Sequence, residues 1–210
     1  WTLAHALDFD SGGGFGHPTA FVLPALLTAA ERRVTTGQEL LQAFVVGCEV
    51  GQHLFAAGTR AAPRYVQMQH GVHASALFGR LGAAAACAKL CGLTSSQTEA
   101  ALGIAASTCG GLVRNFGTMT KALHAGFAAR DALLATGLAQ TGWTACSNAI
   151  DGPLGLLDVF WGWENIDPEQ LPARLGRVFL STMLSGIKAD PTCGHNHAAI
   201  EAARRLRAAD

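Results

Sequence analysis

Four short stretches concentrate the titratable side chains of a chain otherwise poor in charge. His5-Ala6-Leu7-Asp8-Phe9-Asp10 sets a histidine beside two carboxylates, and His17-Pro18 follows beyond three glycines. Acids among apolar residues tend towards raised pKa values, which suits acid–base work near neutral pH. Acids also cap helices and fill turns, and the glycine run can cradle an anion on its N–H groups or simply connect. In His70-Gly71-Val72-His73, two histidines three apart can share a helical face and bind a metal. Gly71 weakens a helix there, and no third ligand is near in sequence. At a helix N-terminus, a histidine instead has a lowered pKa and stays neutral, ready to give or take a proton.

Lys121-Ala122-Leu123-His124 places a cation and a titratable ring at i and i+3, after the entry Gly117-Thr118-Met119-Thr120. The last stretch runs from Lys188 to His197 and holds Cys193, His195 and His197. By residue type these could ligate zinc, or pair a cysteine nucleophile with a histidine base. Alternate residues at a helix start splay apart, which does not suit the closed tetrahedron of a structural zinc, and nothing in the spacing fixes a thiol–imidazole geometry. A metal-dependent hydrolase using His70, His73, His195 or His197 predicts bound metal in the purified protein.

The elements that must position these residues read as helices. A helix is expected over Thr19 to Arg33, distorted at Pro24. Thr36-Gly37-Gln38-Glu39 has capping-box spacing and opens a helix to about Phe55, with Leu40, Leu41, Phe44, Val45 and Cys48 as its apolar face. Another is expected from Ala74 to Leu90, stopped by Gly92. Ser96-Gln97-Thr98-Glu99 reads as a second capping box, leading into Ala100 to Ser107. Gly110-Gly111 breaks the pattern, and Thr120 to Gly137 resumes it. Gly142 to Trp163 is loop-rich, Asp167-Pro168-Glu169 is a helix start, and Phe179 to Ile187 is ambiguous between strand and helix. His197 to Arg207 reads as a last amphipathic helix with Arg204, Arg205 and Arg207 outward. The opening, running into Ser11-Gly12-Gly13-Gly14, is not expected to be regular beyond Asp8. The fold class is mainly α.

Composition bounds the function. Of 210 residues, 15 are Lys or Arg and 15 are Asp or Glu, so there is no global attraction to nucleic acid or an anionic membrane. Half the residues are hydrophobic, which excludes disorder, and 25 glycines among strings of alanine suit closely packed helices. The uncharged stretches Ser11 to Ala30 and Ala132 to Ile150 are interrupted by polar residues and prolines, short of the ~20 apolar residues of a membrane span. The opening stretch shows no basic region ahead of an apolar one, so no signal peptide is expected in it. Six scattered cysteines read as reduced thiols acting as small hydrophobes. The expectation is a soluble, cytoplasmic protein.

Taken in order, the stretches resemble the MmgE/PrpD family, which includes 2-methylcitrate dehydratase, cis-aconitate decarboxylase and iminodisuccinate epimerase. They are His5-Ala-Leu-Asp-Phe-Asp10, His17-Pro-Thr-Ala-Phe-Val-Leu-Pro24, Ala43-Phe-Val-Val-Gly-Cys-Glu49, His70-Gly-Val-His73, Phe78-Gly-Arg-Leu-Gly-Ala-Ala-Ala-Ala86, Ala101-Leu-Gly-Ile-Ala-Ala-Ser107, Gly117-Thr-Met-Thr-Lys-Ala-Leu-His-Ala-Gly126, and Lys188-x-x-Pro-x-Cys193 followed by His197. The resemblance implies a large helical domain with a smaller α+β lid, residues 1–185 belonging to the former and 186–210 supplying the lid's first strand and helix. It implies a homodimer acting on small di- or tricarboxylates without metal or organic cofactor. Asp8, His17, His73, Lys121 and Lys188 fall on the family's catalytic positions, with His124 and Cys193 beside the substrate. Where the family often reads Asp-Phe-Asp-Asp-Thr, this chain has Asp8-Phe9-Asp10-Ser11-Gly12. Family members are also longer, so the chain corresponds to a central part of one. The alternative reading is a non-catalytic helical dimerisation module.

Overall fold

A computed structural model describes residues 5, 7, 9–12, 15–57, 71–167, 169 and 173–209. Of the described residues, 68% are helical. In chain order, the described elements are β1 (Asp10–Gly12), α1 (Pro18–Ala30), α2 (Gly37–Ala57), α3 (Ala74–Cys91), α4 (Ser95–Ser107), α5 (Met119–Gln140), α6 (Leu156–Trp161), α7 (Leu180–Leu184), β2 (Ser185–Ile187) and α8 (His197–Ala209). Single 3-10 turns lie at 113–115, 163–165 and 194–196.

The bundle is built around α3, which packs on α1, α2, α4 and α5. All of its 18 residues except Lys89 and Cys91 are buried. Alanine explains how one helix can be covered on every side. It is the strongest helix former, loses no side-chain entropy, and lets neighbouring axes come close. At the α2–α3 crossing even alanine is too large. A Cβ on Gly47 would lie 2.7 Å from the Gly82 carbonyl oxygen, and one on Gly82 would lie 2.5 Å from that of Gly47. Larger side chains fill the remaining core, with Phe15, Phe21, Leu77, Phe78, Leu81 and Leu157 fully buried.

By length and composition α2 and α3 could each cross a membrane, unlike the two stretches singled out in the sequence. The relevant window of α3 is 89% buried inside the fold and that of α2 is 56% buried.

Several boundaries follow the local signals. In the first capping box, Glu39 Oε2 accepts from Thr36 N and Oγ1 at 2.8 Å, and Glu39 N donates back to Thr36 Oγ1. Helix α3 stops at Gly92, which takes the left-handed conformation at φ 69°. The second box is displaced by two residues. Thr94 caps α4 with Gln97, instead of Ser96 with Glu99. The apolar face expected on α2 is also shifted: Leu41 and Val45 are exposed, and the helix buries Ala43, Gly47, Cys48, Gly51 and Gln52 instead. Phe179 to Ile187 contains both candidate states, since α7 leads directly into β2. The loop-rich stretch from Gly142 contains the short helix α6. Of the expected helix start at Asp167-Pro168-Glu169, Pro168 lies outside the described residues.

One expectation fails outright. Asp10, Ser11 and Gly12 form a strand, paired antiparallel to Ile187, Gly186 and Ser185 respectively. The turn-forming character of Ser-Gly is overridden by a partner segment about 175 residues away, which no local pattern reveals. The backbone continues the pairing, with Lys188 N donating to the Phe9 carbonyl at 2.8 Å.

Candidate active site

Three histidines reach one place because three helices begin there. His17 is the N-cap of α1, His73 is the N-cap of α3, and His124 lies in the second turn of α5. The start of α1 is fixed by Asp10, whose carboxylate accepts from Thr19 N at 2.9 Å and from Thr19 Oγ1 at 2.6 Å. The Asp10 carbonyl lies 2.7 Å from His17 Nδ1. A carbonyl only accepts, so that nitrogen carries the proton and the lone pair of the neutral ring falls on Nε2. The start of α3 is fixed by the loop before α5, where His73 N donates to the Gly111 carbonyl and Val113 N donates to that of Gly71. Gly111 sits at φ 132°, and a Cβ there would lie 2.6 Å from Ala76 Cβ and 3.3 Å from the His124 ring. Only glycine lets this loop lie against both helices.

His5 stands at the centre of the group and is fully buried. Its ring centroid is 5.4 Å from that of His17 and 5.6 Å from that of His73. His73 in turn lies 5.2 Å from His124, and Phe116 packs edge-on against His73 at 4.8 Å. The His73 and His124 rings meet Nδ1 to Nδ1 at 3.0 Å. One of the two must donate, so in the neutral pair one ring carries its proton on Nδ1 and the other on Nε2. Such a pair presents one Nε2 lone pair and one Nε2–H, so it offers both an acceptor and a donor.

Two cations border the rings. Lys121, one turn before His124, has its Nζ 5.9 Å from the Phe116 ring centroid. Lys188 is half-buried and donates from Nζ to the Thr192 carbonyl at 2.7 Å. Burial first, then the charge of Lys121 and the neighbours His17, His124 and Lys188, pushes the His5 imidazole down to about 3. Burial, then His5, His124, Lys121 and His17, pushes His73 down to about 2. His124 is lowered by burial and then by Arg80 and Lys121. At neutral pH these three rings are uncharged, so the positive potential comes from the lysines while the imidazoles remain free to exchange protons. His73 is lowered, the direction expected for a histidine at a helix N-terminus, and burial is the largest cause.

Of the residues singled out in the sequence, the structure brings His17, His73, His124, Lys121 and Lys188 to one neighbourhood. Asp8 and His70 lie outside the described residues. Cys193 is exposed ahead of the 194–196 turn, and among the described residues no hydrogen bond joins its thiol to the imidazoles. Nor do the described residues include a group of three His, Cys, Asp or Glu side chains arranged to hold a metal. His5 and Phe116 are the members that sequence reasoning did not select. His5 was within reach, three residues before Asp8 in the same stretch, whereas nothing in the sequence marks Phe116 out.

Comparison with known proteins gives the same direction. The MmgE/PrpD N-terminal domain matches residues 2–169. The chain is 32% identical over 204 residues to the cis-aconitate decarboxylase-like protein oryM of Aspergillus oryzae, covering 91% of this chain and 41% of that protein. It is 34% identical over 187 residues to the cis-aconitate decarboxylase of Mus musculus, covering 84% and 36%, and 35% identical over 174 residues to that of Homo sapiens, covering 80% and 35%. The chain therefore spans about two fifths of the length of the curated relatives it matches.

Proposed function

The chain belongs to the MmgE/PrpD family, and from that premise we propose that it carries the helical half of a cofactor-independent lyase acting on a small di- or tricarboxylate. The observation that carries this reading is the group of uncharged imidazoles at His5, His73 and His124, bordered by Lys121 and Lys188. Removing a proton, or carbon dioxide, next to a carboxylate leaves negative charge on an enediolate. Fixed cations aimed at that charge lower the barrier, and they act best where water is excluded. Lys121 and Lys188 hold the substrate carboxylates and the developing charge. The His73–His124 pair and His17 move protons to and from the reacting carbon, and Asp8 orients or polarises one of these imidazoles. The names of the relatives favour a tricarboxylate of the cis-aconitate type and a decarboxylation.

The test is turnover by the full-length protein on a panel of di- and tricarboxylates that includes cis-aconitate. Lys121→Ala and His73→Ala are each expected to lower kcat by ~10²–10³-fold with the thermal transition retained, the loss typical of one preorganised donor. Undiminished turnover in either variant removes that residue from the mechanism.

A further inference from the structure

Two buried side-chain pairs join α3 to α5, and both span the same 51 residues of sequence. The first is His73 with His124. Seven residues further along each helix, Arg80 Nε donates to Asp131 Oδ2 at 3.0 Å, and Arg80 Nη2 lies 2.9 Å from the same oxygen. Seven residues are about two turns, so the pairs lie on one shared face about 10 Å apart, and the two helices run parallel. Arg80 Nη1 donates to the Ala76 carbonyl at 2.9 Å, one turn beyond His73. Asp131 Oδ1 takes Nε and Nη2 of Arg130, each at 2.7 Å. The Arg80 and Asp131 side chains are only 4% and 6% exposed.

The surfaces these pairs join are shallow. Helix α3 offers Ala76 and Ala84, one turn either side of Arg80, and α5 offers Ala128 and Ala135, one turn beyond His124 and Asp131, all buried. Alanine methyls interdigitate little, so packing alone specifies the axial register of two such helices weakly. A slip of one residue moves a side chain about 1.5 Å along the axis and swings it through about 100°, enough to break a 3.0 Å contact between rings. A buried ion pair adds little net stability after desolvation, and fixing register is its best-attested use.

We propose that Arg80 and Asp131 are positioning residues that lock α3 against α5 in the register that holds His73 and His124 at hydrogen-bond distance. Arg80, Asp131, His124 and Gly111 line one cavity of about 340 Å³, so the lock borders the same space as the His124 member of the imidazole pair. The proposal rests on the reading that this pair handles protons, and the experiment separates the two.

Nitrogen-15 NMR of histidine-labelled protein reads the tautomers of His73 and His124 in the 210-residue chain. The wild type is expected to show one ring protonated at Nδ1 and the other at Nε2. The apolar replacement Arg80→Met with Asp131→Leu is expected to keep cooperative thermal unfolding but to lose this fixed pattern, both rings averaging between tautomers. Asp131→Asn is expected to act in the same direction, and Arg80→Lys to restore part of the pattern. In the full-length protein, the apolar replacement is expected to lower kcat on the order of 100-fold with KM changed by less than roughly threefold. Wild-type tautomer signals in the apolar replacement would overturn the lock. So would loss of cooperative unfolding in all three variants, which would make the pair a general stability element. A full-length wild type inactive on every polycarboxylate, with tautomers that still respond to the pair, would retain the lock and remove the proposed function.

Discussion

At the scale of single residues, the site is defined by what burial does to histidine. His5 and His73 titrate near 6.5 in an unfolded chain, but are pushed to about 3 and about 2 in the fold. The unfolded chain then binds more protons at every pH between these limits, so stability is full above about 6.5 and falls as the pH drops below it. Each of the two rings costs about 1.4 kcal/mol per pH unit in that window. Two units of acidification thus remove several kcal/mol from a domain of ordinary stability, on the order of 5–15 kcal/mol. Urea unfolding at stepped pH is expected to show this loss setting in between pH 6.5 and 5.5, and His73→Gln to remove about half of the slope. Stability that stays flat from pH 7 to 5 would mean that the rings are not held neutral by the fold. The membership of the site was legible in part because four of its chemical stretches were visible as polar islands in an apolar chain. The sequence marks Lys121 and His124 as neighbours by helical spacing. It does not mark the meeting of His73 with His124 across 51 residues, because that contact depends on the register of two alanine-rich helices.

At the scale of elements, local chemistry decides most ends and long-range packing decides the exceptions. Thr94-x-x-Gln97 and Ser96-x-x-Glu99 both have capping-box spacing, so the pattern is degenerate, and the structure selects the first. Thr94→Ala is expected to cost about 1 kcal/mol and Ser96→Ala only a few tenths, measured by denaturant midpoint. The exposed Leu41 and Val45 on α2 show a different limit of sequence reading. Apolar periodicity finds the large side chains, while the face in closest contact is the one made of Ala43, Gly47 and Gly51. Gly47 tests that close approach. A Cβ there meets Gly82 backbone at 2.7 Å and Ala86 Cβ at 2.8 Å, and backbone cannot swing aside. Gly47→Val is expected to cost about 3 kcal/mol, at the upper end of overpacking penalties, which corresponds to a Tm lower by about 6–12 °C for a domain of this size. Gly37→Ala, where nothing stands within 4 Å, is the control and leaves Tm unchanged or slightly raised. Equal Tm values for the two variants would show that the helices have room to part.

At the scale of the whole molecule, the site joins segments from opposite ends of the chain. The pairing of Asp10–Gly12 with Ser185–Ile187 brings Lys188 to Phe9, and the charge of Lys188 reaches His5. Glu49 reinforces the same closure from α2, since its buried carboxylate accepts from Leu180 N and Ser181 N, both at 2.9 Å. An acidic ligand seated between Lys121 and Lys188 therefore bridges the end of the chain to the helical core, and its binding energy opposes unfolding of both. Stabilisation by a ligand that binds only the folded state grows as RT ln(1 + [L]/Kd), about 2.7 kcal/mol at one hundred times Kd. For a domain of this size that is a Tm rise of roughly 5–10 °C. A titration with di- and tricarboxylates is expected to produce such a rise for at least one tricarboxylate, and Lys188→Ala is expected to abolish most of it while leaving the ligand-free Tm nearly unchanged. A rise that survives Lys188→Ala would place the ligand on the helical core alone. No rise with any polycarboxylate would favour a helical packing module over a catalytic half-site.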